Sequence, residues 1–163
     1  MHIVAVGGSD AGISAALRAR EVDPGAEVTV VAADAYPNFS ICGIPYYVSG
    51  EVTHWRNLAH RTTADLEAAG MRLRLDTTAR HIDVPGRKLL VTGPDGTDEL
   101  IGYDQLVIGT GAVPVRPPIT GLEELAPGDG VHLLHSMDDT FAVMRTLEQA
   151  LSLIHISEPT RRS

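Results

Sequence analysis

Cysteine is almost missing from this chain: Cys42 is the only one among 163 residues. No internal disulfide can form, which points to a reducing, cytoplasmic setting. Cys42 therefore either packs as a small hydrophobe or does chemistry with something outside the chain. Positive charge is also in short supply. Thirteen basic residues stand against 21 acidic ones, a formal charge of −8. Phosphate backbones are bound by clustered Lys and Arg, so this balance disfavours nucleic acid as a partner. No charge run is long enough to form a tail. No apolar stretch approaches bilayer-spanning length, and the opening Met1-His2-Ile3-Val4-Ala5-Val6-Gly7-Gly8 lacks a basic leader and breaks its apolar run with glycines. Neither a membrane span nor a secretory signal is expected. Internal repeats and low-complexity segments are lacking too. The 44% apolar and 21% charged content that remains is that of a globular protein, and the length fits one domain.

The opening predicts a strand, a tight turn and a helix. His2 to Val6 is a short β-branched run, Gly7-Gly8-Ser9-Asp10-Ala11-Gly12 is the turn, and Ile13 to Val22 is Ala-rich up to the Pro24-Gly25 break. Glu27 to Val31 adds a parallel strand, closing a βαβ unit in the usual ~30 residues. Asp34 to Gly50 is expected to be irregular and to hold Cys42. Thr63 to Gly70 reads as a helix, and strands are expected within Met71 to Val91. Leu106-Val107-Ile108 has the fully apolar character of a buried strand, followed by Thr110-Gly111-Ala112. Asp138 to Ala150 reads as a last helix.

Glycines between a strand and a helix let backbone approach a pyrophosphate, which then sits on free N–H groups at the positive end of the helix dipole. Gly7 and Gly12 hold the outer positions of a G-x-G-x-x-G spacing, with Ser9 in place of the middle glycine. Gly8, Asp10 and Ala11 complete that candidate site. A dinucleotide site also expects an acid at the end of the second strand. Asp34, beside Ala33, lies 22 residues beyond Gly12, near the ~20 of the fingerprint. A plain turn aspartate is the equal alternative. His132 and His135 stand three apart without further ligands, so no metal site is expected. Trp55 and the pair Tyr46 and Tyr47 are expected to pack, although the pair follows Cys42 closely enough to line its pocket.

The segment Asn38-Phe39-Ser40-Ile41-Cys42-Gly43-Ile44-Pro45-Tyr46 resembles the signature Ser-Phe-x-x-Cys, then Gly or Ala, then x-Pro-Tyr. That signature belongs to the single-cysteine FAD-dependent pyridine nucleotide-disulfide oxidoreductases, the coenzyme A-disulfide reductase, NADH oxidase and NADH peroxidase group. Tyr103-Asp104-Gln105-Leu106-Val107-Ile108-Gly109-Thr110-Gly111-Ala112-Val113-Pro114 is similar to the family's second FAD contact, with Gly109 a mild change from alanine. Arg72 to Asp83 looks like the family's strand towards the adenine, where Ala79 offers backbone. The resemblance runs from residue 3 to about residue 121, in family order.

It implies an α/β, Rossmann-like FAD-binding domain with a parallel sheet, helices and an inserted β-meander. Cys42 is the implied redox centre. FAD is implied to contact Gly7, Gly8, Ser9, Asp10, Ala11, Gly12, Ala33, Asp34, Asn38, Phe39, Ser40, Ala79, Thr110, Gly111 and Ala112. The implied electron path runs from NAD(P)H to FAD to Cys42 to a small disulfide such as coenzyme A disulfide. Alternatives are an NADH oxidase working on oxygen through a Cys42 sulfenate, a persulfide reductase, or an FAD-binding fragment without activity. A homodimer is implied for the whole protein.

Departures from the family are specific. Ala32 stands where a ribose-binding glutamate is usual, Asn38 replaces serine, and Asp10 replaces the histidine of peroxidase-like members. A second glycine fingerprint for NAD(P)H is not found, so residues 1–150 are expected to be an incomplete front portion with an exposed sheet edge. Residues 151–163 resemble the translation of a sequencing-library adapter and are expected to be a non-native tail.

Overall fold

A computed structural model of the chain describes residues 1–156. They fall into two compact units: Met1–Ser40 with Trp55–Ala112, and Ile41–His54 with the chain from Val113 onward.

The first unit is built on β1 (His2–Val6), α1 (Asp10–Val22), β2 (Glu27–Val31), α3 (Thr63–Ala68), β3 (Met71–Arg74) and β7 (Gln105–Ile108). α2 (Ile44–Val48) lies in the second unit. The four strands form one parallel sheet in the order β3-β2-β1-β7. The chain moves outward from β1 to β2 to β3, then returns to the other side of β1 as β7. That reversal leaves a crevice at the carboxyl ends of β1 and β7, where open α/β sheets bind ligands.

Alternation along β1 builds a three-layer core, because successive strand residues face opposite sides. Ile3 and Ala5 join Ile13 and Ala16 of α1, Leu66 of α3, and Val28 and Val30 of β2. Val4 and Val6 face the other way, with Val31, Leu89, Val91 and Ile101. The last three come from an antiparallel meander of β4 (Thr78–Asp83), β5 (Lys88–Thr92) and β6 (Asp98–Gly102). Burying each of the Val, Leu and Ile side chains is worth about 1.5–3 kcal/mol. Thr29, on the same face of β2 as Val31, is buried with its Oγ1 2.9 Å from His2 Nε2.

The parallel sheet, the meander and the βαβ opening agree with the sequence reading, and three details differ. β7 was expected to be buried, yet Ile108 is 64% exposed, because among the described residues β7 pairs only with β1 and forms the sheet edge. The stretch around Cys42 is not wholly irregular. A 3-10 turn (Ile41–Gly43) leads into α2 (Ile44–Val48), which carries Pro45 in its first turn, where a missing N–H costs nothing. α1 begins at Asp10 rather than Ile13.

In the second unit, α2 packs on α4 (Met137–Ile156), with Ile44, Met137 and Thr140 buried. α4 starts on a reciprocal cap: Asp139 N donates to Ser136 Oγ, and Ser136 N donates to Asp139 Oδ2. The helix runs on past Ala150 to Ile156, and residues 157–163 of the expected tail lie outside the described residues.

α3 starts on a capping box. Asp65 N donates to Thr62 Oγ1, while Thr62 N and its hydroxyl both donate to Asp65 Oδ2. The Thr62 hydroxyl bond, then the Thr62 N–H bond, hold the Asp65 carboxyl below its usual range. A lowered folded-state pKa contributes stability above the ordinary carboxylate pKa, which is lost as pH falls through the folded value. Thr62→Ala should therefore flatten that part of the acid-unfolding curve. Leu66, fully buried one turn further on, should cost about 2–5 kcal/mol as Leu66→Ala, read as a lower urea midpoint at unchanged slope.

Candidate functional site

The site is set by three places where backbone meets backbone. Gly7 has φ +115, and a Cβ there would lie 1.9 Å from Gly109 O. A Cβ on Gly12 would lie 2.1 Å from Gly7 O, and one on Gly109 would lie 2.9 Å from Gly12 N. Gly7 N donates to Val31 O at 2.8 Å and Gly109 N donates to Val6 O at 2.7 Å. The glycine turn is thus clamped between the ends of β2 and β7. Gly109 belongs to the clamp: the change from alanine read as mild in the sequence fills a place with no room for a methyl group.

Ser9, in extended backbone (φ −85, ψ −177), is the N-cap of α1, and its side chain makes no capping hydrogen bond. The first helical bond runs from Ile13 N to Ser9 O at 3.0 Å. The N–H groups of Asp10, Ala11 and Gly12 precede it and have no acceptor within the helix. Donors left open at the positive end of a thirteen-residue helix, beside a turn stripped of side chains, form an anion cradle. A dinucleotide pyrophosphate fits these residues.

At the end of β2, Ala32 is 2% exposed, its N donates to Arg74 O, and its carbonyl accepts from Thr77 N. A Cβ on Gly8 would lie 2.9 Å from the Ala32 Cβ. Ala32 is therefore a packing residue against the turn. Ala33 is exposed. Asp34 is half-buried, and its Oδ1 accepts from Tyr36 N at 2.9 Å, the bond of a turn aspartate.

Beyond β7, Thr110, Gly111 and Ala112 are all exposed. Gly111 has φ +66 with no described atom within 4 Å of its would-be Cβ, so this strand end offers bare backbone to a ligand. Ala79 sits on β4 opposite Val91, just before a break in register, and packs against the meander core.

Phe39, singled out in the sequence, stacks on Trp55 (centroids 5.6 Å, planes at 27°), and Tyr36 meets both edge-on. The Arg56 guanidinium lies 4.3 Å from the Trp55 ring centre. Trp55 packs, as expected. Ser40 N donates to Leu58 O at 2.8 Å.

Asn38 is 2% exposed and left-handed (φ 59). Its Nδ2 donates to Asp10 Oδ1 at 3.0 Å. Sequence reasoning missed this knot and the loop residues His60 and Arg61 that complete it. The available signal was residue type, since Asn is the non-glycine residue most at ease at positive φ.

In the second unit, Cys42 is exposed within the 3-10 turn. Tyr46 is exposed and Tyr47 half-buried on α2. His132 Nε2 lies 2.9 Å from Thr146 Oγ1. Among the described residues no group of three or more His, Cys, Asp or Glu is placed to hold a metal, and no helix is long and apolar enough to cross a membrane.

Comparison with known proteins gives one consistent picture. Residues 1–161 match the pyridine nucleotide-disulphide oxidoreductase family. An NADH oxidase of Methanocaldococcus jannaschii is 27% identical over 91% of this chain and 33% of its own length. An NAD(P)H coenzyme A polysulfide/persulfide reductase of Pyrococcus horikoshii is 30% identical over 74% of the chain and 26% of its own length. Among solved structures, reduced CoADR-RHD of Bacillus anthracis superposes with TM-score 0.86 at 26% identity, covering 92% of this chain and 27% of that one. The NAD-dependent persulfide reductase of A. fulgidus gives TM-score 0.84 at 36% identity, covering 91% and 27%. The chain spans about a third or less of the length of these relatives.

Gly109→Ala should lower stability by about 1–3 kcal/mol, the usual cost of an added methyl in filled space, read from urea unfolding. Native-state labelling with a maleimide should reach one label per chain without denaturant. A thiol that reacts only after unfolding contradicts the exposed placement of Cys42.

Proposed function

This chain belongs to the pyridine nucleotide-disulphide oxidoreductase family, and from that premise we propose that it is the FAD-holding front part of an NAD(P)H-dependent thiol/disulfide oxidoreductase with Cys42 as its redox centre. The observation that carries the proposal is the glycine turn at the sheet's switch point, with an uncapped helix N-terminus above it.

In this reading the N–H groups of Asp10, Ala11 and Gly12, with Gly7, Gly8 and Ser9, receive the pyrophosphate. Ala33 and Asp34 face the adenosine ribose, and Ala79 offers backbone to the adenine. Thr110, Gly111 and Ala112 meet the flavin side. Bound FAD supplies a two-electron relay between a nicotinamide and sulfur.

The chain's own chemistry is nucleophilic. The Cys42 thiolate attacks one sulfur of a small disulfide, the S–S bond breaks, and one thiolate leaves as a mixed disulfide forms on Cys42. Two electrons from NAD(P)H, relayed by bound FAD, would then break the mixed disulfide, returning Cys42 to thiolate and freeing the other half of the substrate as a second thiolate. Coenzyme A disulfide or a persulfide is the substrate class, in keeping with the coenzyme A polysulfide/persulfide reductase among the relatives. A second reading, favoured by relatives named NADH oxidase, has Cys42 cycle through a sulfenate with oxygen as acceptor. The whole protein is then cytoplasmic and homodimeric, with residues 1–150 an incomplete part of its FAD domain.

Titration of this chain with FAD should show saturable binding at one site, by flavin fluorescence or equilibrium dialysis. Cys42→Ser should leave that binding intact. In the whole protein, the same change should abolish disulfide reduction. Loss of FAD from Cys42→Ser would make Cys42 a structural residue and end the redox assignment. NADH added to the FAD-loaded chain without oxygen should leave the flavin oxidised over minutes, because no nicotinamide fingerprint lies within it.

A further inference from the structure

Asn38 ties together more of the first unit than its place in a loop requires. Its N donates to Gly8 O at 2.7 Å, inside the glycine turn, and its O accepts from His60 N at 2.9 Å. Its Nδ2 donates to Asp10 Oδ1 at 3.0 Å, and its Oδ1 faces Arg61 Nη1 at 3.5 Å. The orientation of the amide follows from its neighbours, since a carboxylate only accepts and a guanidinium only donates. Asn38 itself is 2% exposed, while Asp10 and Arg61 reach it from the exposed surface, so both side-chain contacts are part-buried.

The backbone around Asn38 forms a clasp. Phe39 bridges Ala59 in antiparallel register, with Ser40 N donating to Leu58 O on one side and His60 N donating to Asn38 O on the other. The clasp closes where the chain leaves the first unit at Ser40 and re-enters it at Trp55. Asn38 fastens this clasp to the glycine turn through both backbone and side chain. A serine, the residue of the family signature at this position, has no second arm to face Arg61 and reaches less far towards Asp10.

Asp10 gives the contact its consequence. Its carboxylate belongs to the first turn of α1, whose open N–H groups attract any anion. A carboxylate free to turn there competes with a pyrophosphate for the same donors. With one oxygen held by the Asn38 amide, it is drawn off that task.

We propose that Asn38 is a positioning residue of the dinucleotide site: it fixes the Gly8 carbonyl and diverts the Asp10 carboxylate, keeping the first-turn N–H groups of α1 open for a pyrophosphate without itself touching the cofactor. The proposal rests on the FAD reading above and assigns Asn38 a role different from that of a direct contact.

The test is a charge swap read by affinity. FAD and ADP are each titrated against the 163-residue chain, well below its melting temperature, with melting temperature recorded separately. Asn38→Asp sets two carboxylates against each other and removes the donor, and should weaken both ligands by about tenfold or more, as loss of a charge-assisted hydrogen bond does. Combining it with Asp10→Asn restores one donor facing one carboxylate and should bring both affinities back to within about threefold. Asn38→Gly keeps the positive φ without the amide; it should also weaken both ligands, and it serves should Asn38→Asp fail to fold. A purely structural Asn38 would shift the melting temperature of these variants while leaving the affinities of the folded chains unchanged, which overturns the proposal. No rescue by the swap overturns it as well. Failure of the unaltered chain to bind either ligand is a separate result: it removes the FAD reading itself, and the role of Asn38 with it.

Discussion

The site depends on one close approach, the meeting of Gly7, Gly12 and Gly109 at the ends of β1, α1 and β7. With no Cβ on any of the three, the turn lies against the next strand's backbone, and α1 starts directly over the sheet. Any side chain there pushes β7 away from β1 or lifts α1 off the crevice. The clearances are 1.9–2.9 Å to backbone atoms, which have nowhere to rotate. A second ring of small residues supports the first: Gly8 rests on Ala32, so the end of β2 accepts no bulk on that side either.

Two positions at which the sequence differs from the pattern it resembles, Ala32 and Gly109, lie at this approach. A glutamate in place of Ala32 needs a side chain leaving the Gly8 contact, and here Ala32 is buried against the turn instead. The nearest acid is Asp34, two residues on, already anchored to Tyr36 N. Gly109 in place of alanine follows the same logic, since its carbonyl and its nitrogen are both held against the glycine turn and β1.

The two faces of the sheet contribute differently. The α1 and α3 face is a helix-on-strand core that holds the N-terminal turn of α1 in place. The opposite face is covered by the meander, with the Arg74–Glu99 ion pair at its rim. Apart from Ala79 on β4, the candidate site residues lie at strand ends, in loops and in the first turn of α1, where backbone is free to meet a ligand. Cys42 follows the same pattern, carried on a short segment outside the parallel sheet and exposed to solvent.

The sequence by itself determined the βαβ opening, the position of the glycine turn, the redox candidate Cys42 and the family, because each is written in residues close together along the chain. Local spacing is enough to show that glycines follow a strand and precede a helix, and that one cysteine sits in a Gly/Pro segment. Only the tertiary structure decided which residues lack room for a methyl group, that Ile108 lies on an edge rather than in the core, and that Asn38 and Asp10 meet across 28 positions. Those facts depend on contacts between segments distant in sequence. Apolar residues in a row look alike whether a strand has neighbours on both sides or one. An asparagine in a loop likewise shows nothing of its partners until the loop has closed.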